Sequence, residues 1–515
     1  MSNHGKQSRG HATNGTAHTS HRSRRPGILP AASFPPEHSC TARRCSEGRY
    51  LTLKRASSVV LTSLGGVVLL VAIPRAGWAV PSARLRRLVV VGDSLLAGFS
   101  SGGLVATGRA GQVDSAPAIL ARRAHVSLPQ PLMDGPGVPP QLAIFDDNQN
   151  GALDPGEVRR PAGAPIGFRS SPDRRVRNLA VPGEDTASVF DRIAPGDVAG
   201  AIVRNDDVAG RDLLKFLILG LPLRTSSVSQ LSRAGELHPS FLLVWIGNND
   251  VLDMATRTDP AAVQLTPTQF GARFHQLLDA LAGSGAPMAV ANLPDVTGIA
   301  ALRRAAGEVT TCQTPSGAFQ PVAPDDLLSL DLDRSLLPTP PCGKVLDAGK
   351  RAAVRATIVA FNAEIATAIA DIGARRAVDI ALVDLQAGFD RLAADGVDLD
   401  GNGTPDLTTR YLGGIFSLDG IHPTHTGNAL IANIFIDAIN ARFGEGLLPM
   451  NIARVARRDP LTRSRFRPAG EPPFGLFGDG TDDELADFFG TTFKRVELGA
   501  RSLRDDLRHD VFGLF

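Results

Sequence analysis

The chain has 515 residues, 43% of them hydrophobic, with 54 Lys and Arg against 52 Asp and Glu for a formal net charge of +2. Residues 1–79 carry eleven basic and two acidic side chains, which leaves the rest with 43 basic against 50 acidic and a net negative charge. An acidic body is poorly suited to nucleic acid, whose phosphates are neutralised by Lys and Arg; the composition also excludes a collagen-like chain or a disulfide mini-protein, and the length allows a sizeable core in one or two domains.

Residues 1–50 are rich in Ser, His, Arg, Gly and Pro, lack a helical or strand period, and read as a disordered extension. Lys54 and Arg55 then precede an apolar run over 56–73, followed by Pro74 and by Gly77-Trp78-Ala79 as a small-residue cleavage site. That order is the order of a secretory signal over 51–79. An uncleaved anchor is the alternative, since such a run only just reaches spanning length; a core helix is a third. The expectation is a secreted, periplasmic or cell-surface protein, touching a membrane only if the segment stays attached. A start codon assigned too far upstream would account for the length of the first 50 residues.

From residue 80 onward, apolar runs alternate with helix-patterned stretches. Residues 86–91 (RRLVVV) read as a strand buried on both faces, and Gly92-Asp93-Ser94-Leu95 follows it. The interval 100–175 is too long for a loop and reads as an insertion. Within it, residues 146–157 satisfy the EF-hand loop pattern at each ligand position. Asp146, Asn148, Asn150, Asp154 and a bidentate Glu157 would supply side-chain oxygens to calcium, Ala152 a backbone carbonyl and Gly151 the sharp turn. Pro139 and Pro140 precede the loop, so flanking helices are not expected, and an acidic surface turn is the alternative. The segment Asn178-Leu179-Ala180-Val181-Pro182-Gly183 comes next. A second insertion, 190–240, holds the apolar stretch 213–223 (LLKFLILGLPL), which would line or cover an acyl pocket, or pack as a buried helix.

Residues 241–246 (FLLVWI) read as a second strand, ending in Gly247-Asn248-Asn249-Asp250. A helix over 268–282 puts Phe270, Phe274, Leu277, Leu278 and Leu281 on one face. Residues 288–292 read as a third strand. The insertion 295–349 contains Cys312 and Cys342, which in an oxidising compartment pair most simply as a disulfide. Two separate buried thiols are the alternative, and Cys40 and Cys45 precede the apolar run. A helix over 350–372 and a strand over 378–383 follow. Asp398, Asp400, Asn402, Gly403 and Asp406 begin a second calcium-loop pattern, but Thr409 stands where the bidentate Glu belongs. Asp419-Gly420-Ile421-His422-Pro423 precedes a helix over 426–443. Residues 445–515 are a mixed extension, with 482–491 patterned as an amphipathic helix docked on the body.

Strands alternating with helices indicate an α/β fold around a mostly parallel sheet. Ligands bind at the carboxyl ends of strands in such sheets, where Ser94 and Asn249 fall. These four polar segments, in this order, resemble the SGNH hydrolases, the GDSL esterase/lipase superfamily, over about residues 85–442. The resemblance implies a three-layer α/β/α sandwich that hydrolyses esters with no cofactor in the chemistry. Ser94 matches the nucleophile, Gly183 and Asn249 the oxyanion-hole blocks, and Asp419 and His422 the Asp-x-x-His block. The chain is much longer than minimal members because of its insertions.

The chemistry asks for the same residues. A serine hydroxyl is a weak nucleophile and needs a base; His422 would take its proton, and Asp419, three residues earlier, would fix the imidazole. The oxyanion would be met by the Ser94 and Gly183 N–H groups and the Asn249 amide. His425 is a competing base, and Asp250 is expected to orient its loop rather than react. Singly, Ser94 and Asn249 read as caps and His422 as a surface or core histidine. The expected function is an exported serine esterase or lipase acting on an acyl ester or lipid. Alternatives are an O-acetylated glycan as substrate, or a calcium-stabilised, non-catalytic surface binding protein.

Overall fold

The β-branched and aliphatic runs pair into one parallel sheet. In the computed structural model, which describes residues 81–477 (except 108–110, 205, 264, 464–465 and 467–471) and 492–493, four strands line up in space. These are β1 (Leu88–Gly92), β2 (Phe241–Trp245), β3 (Met288–Ala291) and β4 (Ile380–Val383), in the order β1-β2-β3-β4. Leu88 faces Phe241, Leu242 faces Met288 and Ile380 faces Met288, all in parallel register. Beyond β1, a parallel bridge joins Val90 to Asn178. Every residue of β1, β2 and β3 is buried, as expected for strands covered on both faces.

The strand period sorts the two covers. Phe241 meets Phe443 with ring centroids 5.2 Å apart and Trp245 meets Phe435 at 6.3 Å. Odd positions of β2 therefore face helix α6 (His425–Phe443), and even positions face the opposite layer. That other layer is built on α4 (Pro267–Ala282) and α5 (Ala348–Arg376), joined where Phe270 stacks on Phe361 at 4.1 Å. Helix α4 starts where a capping box fixes it: the Thr266 hydroxyl accepts from Gln269 N–H, the Gln269 side chain accepts from Thr266 N–H, and Pro267 takes the first position. Helix α5 is long and apolar enough by composition to cross a membrane. Its buried residues Val354, Ile358, Phe361, Ile365, Ala368 and Ile372 nevertheless recur every three or four positions, a single stripe turned to the core. The protein is thus an α/β sandwich with a central parallel sheet.

The sequence-based bounds move by a few residues. The first strand begins at Leu88 rather than residue 86, because Leu88 N–H closes a turn on the Leu85 carbonyl. The fourth begins at Ile380 because Val378 N–H still closes helix α5 on Gly373. The apolar stretch 213–223 resolves in favour of packing. Helix α2 (Gly210–Lys215) is buried from Leu213 onward, as is its π-helical continuation Phe216–Gly220, and none of their residues lines the cleft described below. Cys312 and Cys342 are disulfide-bonded, their Cα atoms 4.9 Å apart; closing a 30-residue loop stabilises by about 3–4 kcal/mol in the chain-entropy account. Of the C-terminal extension, Asp459 is buried and caps α6, accepting from the Thr426 N–H and hydroxyl at 2.9 Å each. The signal or anchor segment, 51–79, and the helix expected over 482–491 lie outside the described residues.

Candidate active site

Strand β1 ends at Gly92, where an added Cβ would come within 2.8 Å of Leu96 and 3.0 Å of the Trp245 carbonyl. A residue with a side chain there would push the next turn away from β2. The Gln230 amide receives both ends of that peptide, accepting from Gly92 N–H at 2.8 Å and donating to Gly92 carbonyl at 2.9 Å. Asp93 then caps the short helix α1 (Ser94–Ala97), accepting from Leu95 N–H at 2.9 Å and from the Asn248 amide at 2.8 Å. Ser94 is the first helical residue rather than the cap. Burial pushes the Asp93 carboxyl up to about 6, against the opposing pull of Asn248, Leu95 N–H and the charge of His422.

Asp419 and His422 occupy one tight turn ahead of α6. Asp419 Oδ1 accepts from the Ile421 and His422 N–H groups at 2.9 and 2.8 Å. Its Oδ2 accepts from Gly102 N–H at 2.6 Å and faces His422 Nδ1 at 2.9 Å. Burial favours the neutral carboxyl, but the His422 charge and these hydrogen bonds outweigh it and hold Asp419 below the usual carboxylate range. A proton on Nδ1 leaves Nε2 as the lone-pair nitrogen of His422. Phe99 packs on the imidazole with centroids 4.7 Å apart.

A third group of contacts ties the Gly183 turn to helix α3 (Asn248–Thr256). Val181 N–H bonds to the Gly92 carbonyl at 3.0 Å, and Gly183 takes φ +80°, the left-handed region that favours glycine. Asn249 donates one amide hydrogen to the Glu184 carbonyl at 2.7 Å, which leaves its second hydrogen for another acceptor. Asp250 accepts from the Thr186 N–H and hydroxyl at 2.9 and 2.7 Å, and burial pushes its carboxyl up to about 7.

Ser94, Asn249 and His422 open onto one cleft of about 350 Å³, lined mainly by apolar side chains such as Leu95, Leu252, Ile299, Phe389 and Phe416. An ion pair, Arg355 Nε to Asp295 Oδ2 at 2.6 Å, stands among the lining residues. Gly183 is not one of them, and Asp419 sits behind His422, bonded to it. Ser94 makes no hydrogen bond to His422 among the described residues. His425 lies elsewhere: it begins α6, its Nε2 stands 3.6 Å from Asp114 Oδ2, and it lines a separate depression.

The two Asp-rich loops share one ladder of hydrogen bonds. In the first, Asp146 accepts from Gly151 N–H, Asn148 from Asn150 N–H, and Asn150 from Ala152 N–H. In the second, Asp398 accepts from Gly403 N–H, Asp400 from Asn402 N–H, and Asn402 from Thr404 N–H, at the same spacings. Glu157 accepts from Asp147 and Asp154 N–H, while Asp154 Oδ2 accepts from the amides of Asn148 and Asn150. The donor set is all oxygen on a loop already turned at Gly151, which fits calcium; the Asn148 and Asn150 amides would rotate to present their oxygens. Carboxylate oxygens of Asp398, Asp400 and Asp406 lie within 4.8 Å of one another.

The sequence did not reveal the Asp93–Asn248 bond, the Gly102 contact to Asp419, or a buried ion pair between Glu184 and Lys215 at 3.1 Å. Only the last had a signal, a lone charge inside an apolar stretch.

The model of the GDSL-like lipase/acylhydrolase family matches residues 88–435. No curated protein matches the chain. Among solved structures, it is similar to LAE5, an alpha/beta hydrolase enzyme from the metagenome of Lake Arreo, Spain. Identity is 14%, over 70% of this chain and 97% of that one, with a TM-score of 0.29. It is also similar to TesA, at 13% identity over 69% and 99%, with a TM-score of 0.27. Since the family model takes in well over half of its residues, the chain belongs to the GDSL-like lipase/acylhydrolase family, hydrolases that act on ester bonds.

Proposed function

We propose that the protein is an exported serine esterase in which Ser94 is the nucleophile, His422 the general base and Asp419 its orienting partner. The buried Asp419–His422 pair, 2.9 Å long and opening onto the same apolar cleft as Ser94, carries this reading. In the reaction, Ser94 Oγ attacks the ester carbonyl carbon while its proton passes to His422 Nε2, a transfer that requires the two side chains to close to hydrogen-bond distance. The carbonyl oxygen becomes an oxyanion, met by the Ser94 and Gly183 N–H groups and by the free hydrogen of the Asn249 amide. Collapse expels the alcohol, which takes the proton from His422. Water, deprotonated by the same nitrogen, then attacks the acyl-enzyme and releases the acid and Ser94. Asp419 stays ionised throughout, consistent with its lowered pKa.

The apolar lining of the cleft favours an acyl ester or lipid over an O-acetylated glycan. Purified protein assayed on p-nitrophenyl esters from acetate to palmitate tests both points. Turnover lost in Ser94→Ala supports the serine esterase, and the optimum chain length separates lipid-like from acetyl substrates. No turnover by folded wild type on any of them, with calcium present, would sink the reading and turn attention to a binding role.

Residues 51–79 are the export signal, checked by the N-terminal sequence of the protein recovered outside the cytoplasm; an intact N-terminus on membranes would make it an anchor. The loop 146–157 holds a structural calcium with no part in the chemistry. At 10 mM calcium and a dissociation constant in the 0.1–1 mM range, the gain in stability is about 1.4–2.7 kcal/mol. An unchanged melting temperature between excess chelator and calcium would refute it.

A further inference from the structure

Lys215 is 2% exposed, the only charge in the apolar stretch from Leu213 to Leu219. Its ammonium donates to the Ser188 carbonyl at 2.8 Å and the Asp191 carbonyl at 3.2 Å, and forms an ion pair with Glu184 Oε1 at 3.1 Å. Glu184 is wholly buried. From the same helix, Arg211 Nη2 reaches the Gly183 carbonyl at 3.3 Å. Every one of these contacts runs from helix α2, inside the 190–240 insertion, to the chain between Gly183 and Asp191.

Stability alone gives a poor account of the pair. Two charges removed from water lose their hydration, and apolar residues of similar volume often serve equally well or better. What an ion pair fixes is geometry, and the geometry here belongs to the donors. Glu184 follows Gly183 directly, and its carbonyl holds the Asn249 amide. One residue therefore has its main chain on two of the three oxyanion donors proposed above and its side chain anchored in the insertion.

We infer that Lys215 and Glu184 are positioning residues that lock the Gly183–Thr186 turn against helix α2, so that the Gly183 N–H and the Asn249 amide are held where negative charge develops. This rests on the serine esterase reading above. The loss expected on releasing the turn is in the transition state, because the donors are called on only once the oxyanion forms.

The test compares wild type, Glu184→Leu/Lys215→Met and Glu184→Gln in the full chain. A short-chain p-nitrophenyl ester gives kcat and KM, and a boronic acid that forms a tetrahedral adduct on serine gives affinity for a transition-state mimic. The double variant is expected to melt at or above the wild-type temperature while kcat falls about tenfold to a hundredfold. KM should stay within about twofold, and boronate affinity should fall in step with kcat. Packing alone would leave kcat and boronate affinity at wild-type values, and that result overturns the inference. If the double variant does not fold, Glu184→Gln decides by the same split: lower kcat at unchanged KM supports the lock, unchanged kcat refutes it. Labelling of Ser94 by a fluorophosphonate separates the two readings. Wild type that labels and turns over, beside an equally active double variant, removes only the lock; wild type that does neither removes both.

Discussion

The two sides of the cleft are built on different principles. On the base side, Asp419 and His422 lie three residues apart in one turn, and Asp419 bonds both the imidazole and the amides of Ile421 and His422. On the donor side, Gly183, Glu184, Asn249, Asp250 and Lys215 come from three separate segments that only the tertiary fold brings together. A base must have one tautomer and one orientation, which a short hydrogen-bonded turn largely sets, with Gly102 N–H and the Phe99 ring adding to it here. An oxyanion hole must match a point in space between segments, so its accuracy depends on tertiary packing.

That contrast can be broken at several points. Asp419→Asn leaves the turn but spoils the imidazole tautomer, and kcat should fall roughly 10⁴-fold; a loss below tenfold in stopped assays would mean the pair does not act as base and partner. Asn249→Ala removes one donor and is expected to cost roughly 10²–10³ in kcat, or about 3–4 kcal/mol, with little change in KM. An equal rise in KM would assign Asn249 to substrate binding instead.

The smallest effect tests the burial of the donor side. Asp250 has its carboxyl pushed up to about 7 from an ordinary 3.8. Between those values the folded protein binds this proton and the unfolded chain does not, so the group's contribution to stability falls as pH rises through the window. Asp250→Asn should flatten that decline, visible as closer urea midpoints at pH 5 and pH 8. Steeper pH dependence in the variant would contradict the sign.

How much could be read from the sequence follows the same division. The runs LVVV and FLLVW announce strands buried on both faces, and the aromatic stripe of Phe270 and Phe274 announces the helix that covers them. Asp419 and His422 were legible because their spacing is local. The partnership of Glu184 with Lys215 spans 31 positions, and that of Asp93 with Asn248 spans 155, so neither follows from any short-range pattern. Element ends shifted for local reasons, as where Leu85 and Gly373 carbonyls capture the amides of Leu88 and Val378. The apolar stretch at 213–223 was ambiguous because hydrophobicity says that a segment is covered, not what covers it.

The carbonyl of Glu184 that holds Asn249 belongs to the main chain, as do the amides of Ile421 and His422 that hold Asp419. Every residue type has that carbonyl, and all but proline have that amide. A scan of single substitutions would pass over such contacts, since a new side chain at Ile421 changes the cleft lining but leaves the amide that holds Asp419 in place. The contact thus survives a change of residue at its main-chain end, even where the side chain's own role does not.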